Sequence, residues 1–387
     1  MKPSKLRLLV LSIEFPPGPG GLGTLAYQIS SCLTQMGWQV AVATPQSHST
    51  IQEIDSFNNL QSFELTRFSF KGPAIFEGLS RLFITLRLIH SHQPEVILAI
   101  GWQSVWLSSL LSLLTNIPCV AVGAGTEFLV SARVRRALTR WAYQHADQVI
   151  FISQYTRKLA QSHGFIFSKD TIIHLGADEE IYKPDLPTTN LRQELKLTAS
   201  RVILTVGQVS ERKAQDVVIK ALPSILNDFP NAYYLIVGLP TNQVRLERLA
   251  NELGVADHIQ FTGMVPKSEL PFLYNLADIF VLVSRVTEKG DVEGFGIAVV
   301  EAALCGKPAI VSNNSGLVEA VVPGVTALVV DPEHPKMTAT AIKHLLVDDK
   351  LRQEMGVAAR KHALEGATWR QQMKKFDHYL NKVIELN

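Results

Sequence analysis

The stretch from Val202 to Leu222 reads VILTVGQVSERKAQDVVIKAL. It opens with Val202–Val206, a short apolar run of the kind found in strands buried on both faces. A polar turn follows. Beyond it Ala214, Val217, Val218, Ala221, Leu222 and Ile225 recur at helical spacing. A strand that feeds straight into a helix is the repeating unit of a parallel sheet with helices on its faces.

The same unit recurs outward in both directions. Upstream lie the apolar runs Leu8–Ser12, Val40–Thr44, Val96–Ile100, Cys119–Val122 and Val149–Ile152. Downstream lie Tyr234–Val237, Ile259–Phe261, Ile279–Val283, Ala309–Val311 and Ala327–Val330. Between them, Leu22, Leu25, Ala26, Ile29, Leu33 and Met36 mark a helix face that Gly37 ends. The polar stretch from Tyr182 to Ser200, with Pro184 and Pro187, interrupts the alternation. The reading is an α/β chain of two doubly wound parallel-sheet, Rossmann-like domains, 1–184 and 185–368. The remainder, 369–387, reads as an amphipathic helix. In such sheets ligands sit beyond the carboxyl ends of the strands, so the strand-to-helix turns hold the candidate sites.

Composition narrows the function. Of 387 residues, 47% are hydrophobic and 19% charged, which excludes intrinsic disorder. The 37 basic and 35 acidic residues nearly cancel, so nucleic acid is not expected as a partner. The three cysteines, Cys32, Cys119 and Cys305, are far apart, against a disulfide framework or a zinc site and consistent with a cytoplasmic setting. Lys2, Lys5 and Arg7 precede the Leu8–Ile13 run, but Glu14, Phe15, Pro16 and Pro17 follow where a signal peptide needs a small-residue cleavage site. The run is therefore read as a first strand. Val105–Leu114 is too short to span a membrane, which takes about 20 residues.

Two turns stand out. The first is FPPGPGGLG, in which Gly18, Gly20 and Gly23 form a GxGxxG after the first strand. Backbone amides at such a helix start hold phosphate. A nicotinamide-dependent oxidoreductase also needs an acid at the end of the second strand, and VAVATPQSH supplies none. A simple tight turn fits as well.

The second is DVEGFGIAVVEAALCG, Asp291 to Gly306. Glu293 and Glu301 are eight residues apart, a little over two helical turns. Gly294 and Gly296 open a helix whose first amides lack intrahelical partners and can bind hydroxyls or phosphate. A surface acid and a helix-start acid favoured by the dipole are the plain alternative. Arg212 and Lys213 stand at the start of the Ala214–Ile225 helix, where cations oppose the macrodipole. A shared anion such as a diphosphate removes that penalty; a solvated basic pair is the alternative. No DxD triplet occurs, so metal-held diphosphate chemistry lacks its usual carboxylates.

These residues resemble the retaining, nucleotide-sugar-dependent glycosyltransferases of the GT-B fold, family-4 type, over nearly the whole chain. The E-x7-E motif from Glu293 to Glu301 is the most specific piece. PGGLG, ADQVIFISQYT, LGADEEIYKP, IVGLP and ADIFVLVS support it, and GDVEGFGIAVVEA is nearest in wording to phosphatidylinositol mannosyltransferase-like members.

The resemblance implies two domains facing across a cleft, with the last helix crossing back to the first. It implies that Lys213, with Arg212, holds the donor diphosphate and that Glu301 binds the ribose hydroxyls. Glu293 and the amides of Gly294, Phe295, Gly296 and Ile297 would hold the transferred sugar, making Lys213 and Glu293 the catalytic pair. Gly21 would approach the phosphates, and Gly238, Met264 and Val265 would lie at the base.

The implied reaction moves a hexose from a nucleoside diphosphate sugar to an acceptor hydroxyl with retention. It uses no metal or cofactor. The acceptor is a glycan, a lipid or a small molecule. Two departures stand against it: Gln208 where the family has Arg, and Ala124 where many members have His. They raise the alternative of a catalytically impaired member acting as a binding partner or subunit. In the first domain, Arg133, Arg135, Arg136 and Arg140 on a helix from Ser131 to Trp141, and Arg81 and Arg87 in FEGLSRLFITLRLIHSH, fit either a solvated basic helix over a core-facing helix or peripheral contact with an anionic membrane.

Overall fold

A computed structural model describes residues 6–18, 20–46, 50–68 and 74–387, with the side chains of 74–77 excepted. Lys2, Lys5, Pro19 and the end of the VAVATPQSH stretch lie outside the described residues, as do the side chains of Phe76 and Glu77. The chain divides into two compact units: Met1–Leu175 with Trp369–Asn387, and Gly176–Thr368.

The first unit holds seven parallel strands: β1 (Arg7–Ser12), β2 (Gln39–Pro45), β3 (Glu64–Phe68), β4 (Val96–Ile100), β5 (Cys119–Gly123), β6 (Gln148–Phe151) and β7 (Asp170–Ile172). They lie in the order β3-β2-β1-β4-β5-β6-β7. The second unit holds β8 (Arg201–Val206), β9 (Ala232–Val237), β10 (Ile259–Gly263), β11 (Ile279–Leu282), β12 (Ala309–Ser312) and β13 (Ala327–Val330), in the order β10-β9-β8-β11-β12-β13. All the pairings are parallel, and both sheets are doubly wound. Eleven strands fall on the apolar runs. The other two, β3 and β7, are edge strands of the first sheet with mixed sequences, ELTRF and DTI.

Each sheet is buried because its strands are apolar on both faces. In β4 every residue is inaccessible, and so are Val202, Ile203 and Leu204 of β8. One core of the second unit packs Ile203, Tyr234 and Val281 of the sheet against Val218, Leu222 and Ile225 of the Gln215–Asp228 helix and Ile342 and Leu345 of the Pro335–Val347 helix.

Residues 176–184 pack on the second unit rather than the first. Tyr182 sets its ring edge-on to Tyr274, centroids 5.7 Å apart, and Asn275 Nδ2 donates to the Lys183 carbonyl at 2.8 Å. The division at Leu175/Gly176 therefore precedes the proline-marked stretch, which itself contains a short helix, Thr189–Glu194. The terminal helix, Trp369–Glu385, belongs to the first unit by contact. Its Asp377 carboxylate accepts from Trp38 Nε1 at 2.7 Å, and Tyr379 OH accepts from Thr171 at 2.9 Å. Among the described residues no helix is long and apolar enough to cross a membrane.

Candidate donor site

The order of the second sheet sets three glycine turns side by side at the carboxyl ends of its strands. Gly207, Gly238 and Gly263 end or follow β8, β9 and β10, which are neighbours. Gly207 N donates to Val237 O at 2.8 Å and Gly238 N to Gly263 O at 2.9 Å, so the three turns are stitched together. Gly238 has φ +145°, and a Cβ there would stand 2.2 Å from the Gly207 carbonyl oxygen; only glycine fits. Met264, 60% exposed, and Val265 follow Gly263.

Beside them, Glu293 meets Lys213. Lys213 Nζ is 2.6 Å from Glu293 Oε2, and Arg212 Nη1 also donates to that oxygen. Ser284 Oγ stands 3.5 Å from it. Lys213 and Glu293 are each only 9% exposed. Burial pushes the Glu293 carboxyl up, but Lys213 and Arg212 outweigh it and hold the carboxyl below its usual range. For Lys213, burial lowers the ammonium and Glu293 opposes it. The pair is read as charged, because a second cation shares the carboxylate and each partner removes the other's desolvation penalty. The sequence suggests an empty cationic spot awaiting an anion; here the anion is the Glu293 carboxylate. A diphosphate brought to Arg212 and Lys213 shares them with Glu293.

Local structure sets this arrangement. Arg212 and Lys213 end a turn before Ala214, which caps the Gln215–Asp228 helix with φ +49°. Glu293 precedes Gly294 and Phe295, and Gly296, at φ +90°, opens the Ile297–Leu304 helix. Gly316 N donates to Glu293 O at 2.9 Å, and a Cβ on Gly316 would lie 1.9 Å from the Gly294 oxygen. Gly316 is thus as demanding as the glycines of the motif, and it was not singled out from the sequence. Its run, SNNSGLVEAV, begins at the last residue of β12.

Glu301 sits just over one turn into the same helix. Its carboxylate accepts from Tyr274 OH at 2.6 Å and from Tyr182. Burial raises its pKa, opposed by the tyrosine hydrogen bonds and by Lys267 and Lys213. Neither tyrosine was singled out, although Tyr182 lies in LGADEEIYKP, a segment that carries the resemblance, and Tyr274 stands three residues before ADIFVLVS, another.

The departures have local roles. Gln208 Nε2 donates to Thr241 Oγ1 at 2.9 Å, and its carbonyl accepts from Gln215. Ala124 contributes its amide, which donates to Glu127 Oε1 at 2.6 Å. In the first unit Gly21 starts the Gly21–Gln35 helix, exposed, with open space where a Cβ would be. Arg81 is buried and donates to Gln103 at 2.6 Å, as the reading of a core-facing helix has it. Among the described residues no group of three or more His, Cys, Asp or Glu is placed to hold a metal.

Comparison with known proteins agrees with this class of fold and site. Residues 188–362 match Glycosyl transferases group 1, and residues 19–181 match Glycosyltransferase Family 4. The chain is 34% identical over 380 residues to the GDP-mannose-dependent monoacylated alpha-(1-6)-phosphatidylinositol monomannoside mannosyltransferase of Corynebacterium glutamicum, covering 94% of each. It is 29% identical over 382 residues to the GDP-mannose-dependent alpha-(1-6)-phosphatidylinositol monomannoside mannosyltransferase of Mycobacterium tuberculosis, again covering 94% of each. Its fold matches Anabaena Alr3699/HepE in complex with UDP and glucose, with a TM-score of 0.84 at 19% identity, over 97% of this chain and 100% of that one. The chain belongs to the family-4, group 1 glycosyltransferases of the GT-B fold.

Proposed function

We propose that the chain transfers mannose from GDP-mannose to a hydroxyl of an inositol-containing glycolipid, with retention and without a metal ion. The observation that carries this reading is the Arg212–Lys213–Glu293 cluster beside the helix opened by Gly296. Two cations and helix-start amides at one spot suit a departing diphosphate. Glu293 then orients the sugar, and Glu301 takes the ribose hydroxyls. Gly21 approaches the phosphates; Gly238, Met264 and Val265 border the base.

In the step proposed, the acceptor oxygen bonds to the anomeric carbon as that carbon's bond to the diphosphate oxygen breaks. The acceptor proton passes to the same diphosphate oxygen, on the same face. The Glu293 carboxylate is engaged by two cations, unlike the acid and nucleophile of a retaining glycosidase. Positioning and charge stabilisation are the protein's part.

The choice of GDP-mannose and of an inositol lipid rests on the names of the relatives. A lipid acceptor also gives a purpose to the Arg133–Gln144 helix. Its Val134 and Leu138 are exposed among the arginines, which suits peripheral contact with an anionic membrane from the cytoplasmic side.

The test is a nucleotide-sugar panel read by thermal shift and by transfer to phosphatidylinositol mannoside in vesicles, with and without EDTA. A donor that binds the folded chain and not the unfolded one raises apparent stability by mass action. Selective stabilisation by GDP-mannose, EDTA-resistant transfer and an α-anomeric product by NMR are expected. Transfer from another donor, loss of activity with EDTA, or an inverted product overturns the corresponding part.

A further inference from the structure

We infer that Tyr182 and Tyr274 are positioning residues that aim the Glu301 carboxylate at a vicinal diol, the ribose of the nucleotide. This rests on the proposed donor role of Glu301.

The two tyrosines come from separate parts of the second unit. Tyr274 lies in the Leu270–Leu276 helix and is inaccessible; Tyr182 lies in the segment that enters the unit and is 7% exposed. Their rings meet edge to face, 77° between planes, and Tyr274 packs in turn on Phe280 of β11 at 5.7 Å. Both rings are therefore locked by packing, and both hydroxyls point at one carboxylate. Burial and the nearby Glu301 push both phenols far above their usual range, so neither releases its proton. They are obligate donors.

Donor arithmetic then gives the ligand. An ionised carboxylate has about four lone-pair sites. The tyrosines take two. About two are left, which is the number that two adjacent hydroxyl donors require. The tyrosines also help keep the half-buried carboxylate ionised and fixed in rotamer, so the diol meets an acceptor already oriented.

The test uses full-length protein and calorimetric binding of GDP, UDP and their 2′,3′-dideoxy analogues. Tyr274→Phe and Tyr182→Phe keep the packed rings and remove only the hydroxyls. Each is expected to weaken binding of the normal nucleotide about tenfold, the scale of one hydrogen bond to a charged group. Each is expected to leave the dideoxy analogue's affinity unchanged. In assays the donor KM rises about tenfold while kcat stays within about twofold. If the Phe variants weaken normal and dideoxy nucleotides equally, or weaken neither, the positioning role is overturned. Glu301→Gln separates the two readings: if it leaves the normal nucleotide's affinity unchanged, the donor role of Glu301 fails and this inference with it. Absence of binding by the parent protein to both GDP and UDP overturns both as well.

Discussion

Lys213 Nζ lies 2.6 Å from Glu293 Oε2, and each residue is nine-tenths buried. Buried pairs of this kind are costly to break, because the surviving partner keeps its desolvation penalty. Lys213→Met leaves Glu293 with Arg212 alone. A loss of about 3 kcal/mol in stability is expected, by denaturant melt. A loss of at least about a hundredfold in kcat/KM is also expected, since a cation on the departing diphosphate is gone. The double variant Lys213→Met with Glu293→Gln removes the buried charge that Lys213 no longer neutralises, while Arg212, its side chain 25% exposed, keeps access to water. The double variant is expected to regain at least half the stability and none of the activity. A double variant less stable than the single one contradicts the pairing.

The two acids of the motif have their pKa values shifted in opposite directions. Glu301 is held above the ordinary 4.5 by burial, whereas Lys213 and Arg212 hold Glu293 below it. Glu301 therefore gains its proton first as the pH falls. For Glu293 the depressed carboxyl contributes stability that is present above its unfolded value and lost only as pH falls through its lower folded value. Acidification is expected to raise the donor KM while the protein is still folded. Donor KM and melting temperature measured together from about pH 7 to about pH 4 check this. Parallel loss of both, with one midpoint, contradicts the separation.

Gly238 tests the stitching of the second sheet's edge. Its φ of +145° and the 2.2 Å approach of a Cβ to the Gly207 oxygen leave an alanine nowhere to go without moving backbone. Gly238→Ala is expected to cost more than about 1 kcal/mol and to shift the turn that carries Lys213. A donor KM raised at least about fivefold, with a lowered melt, is the outcome sought. Gly21→Ala is the contrasting case. Nothing lies within 4 Å of a Cβ there, so stability is expected to hold and any effect falls on donor binding.

The fold was legible because fully buried strands announce themselves as continuous apolar runs. Val96–Ile100, buried throughout, was bounded to the residue. Edge strands need only one paired side, and of the four, β3 and β7 use that freedom: ELTRF and DTI keep polar residues and carry no run to read, whereas ALVV of β13 stays apolar. The candidate site was legible where its residues share one local segment. Glu293, Gly296 and Glu301 are such a set, and Arg212 and Lys213 another. Tyr182 and Tyr274 were not. Their hydroxyls reach Glu301 only through the tertiary packing of the second unit, and a tyrosine in an apolar stretch reads as core. That Arg212 and Lys213 already share the Glu293 carboxylate was hidden for the same reason, since β11 and the turn after it bring the segments together.

The terminal helix gives a last test. Trp369, Met373, Phe376, Leu380 and Val383 are buried, and Phe376 and Leu380 are fully inaccessible. Removing one such side chain costs about 2–5 kcal/mol, so removing all of them exceeds the roughly 5–15 kcal/mol that holds a domain together. A chain ending at Thr368 is therefore expected to lose the fold of the first unit, seen as collapse of its near-ultraviolet circular dichroism. Asp377→Ala is far milder. It deletes the acceptor for Trp38 Nε1 but keeps the apolar face, and about 1–2 kcal/mol is expected. For a unit of this size that lowers the melt by about 2–8 °C. Asp377→Asn keeps an acceptor oxygen and is expected to lose less than half as much. If Asp377→Ala melts like the parent, the Trp38 hydrogen bond contributes nothing, and the helix is held by its apolar face alone.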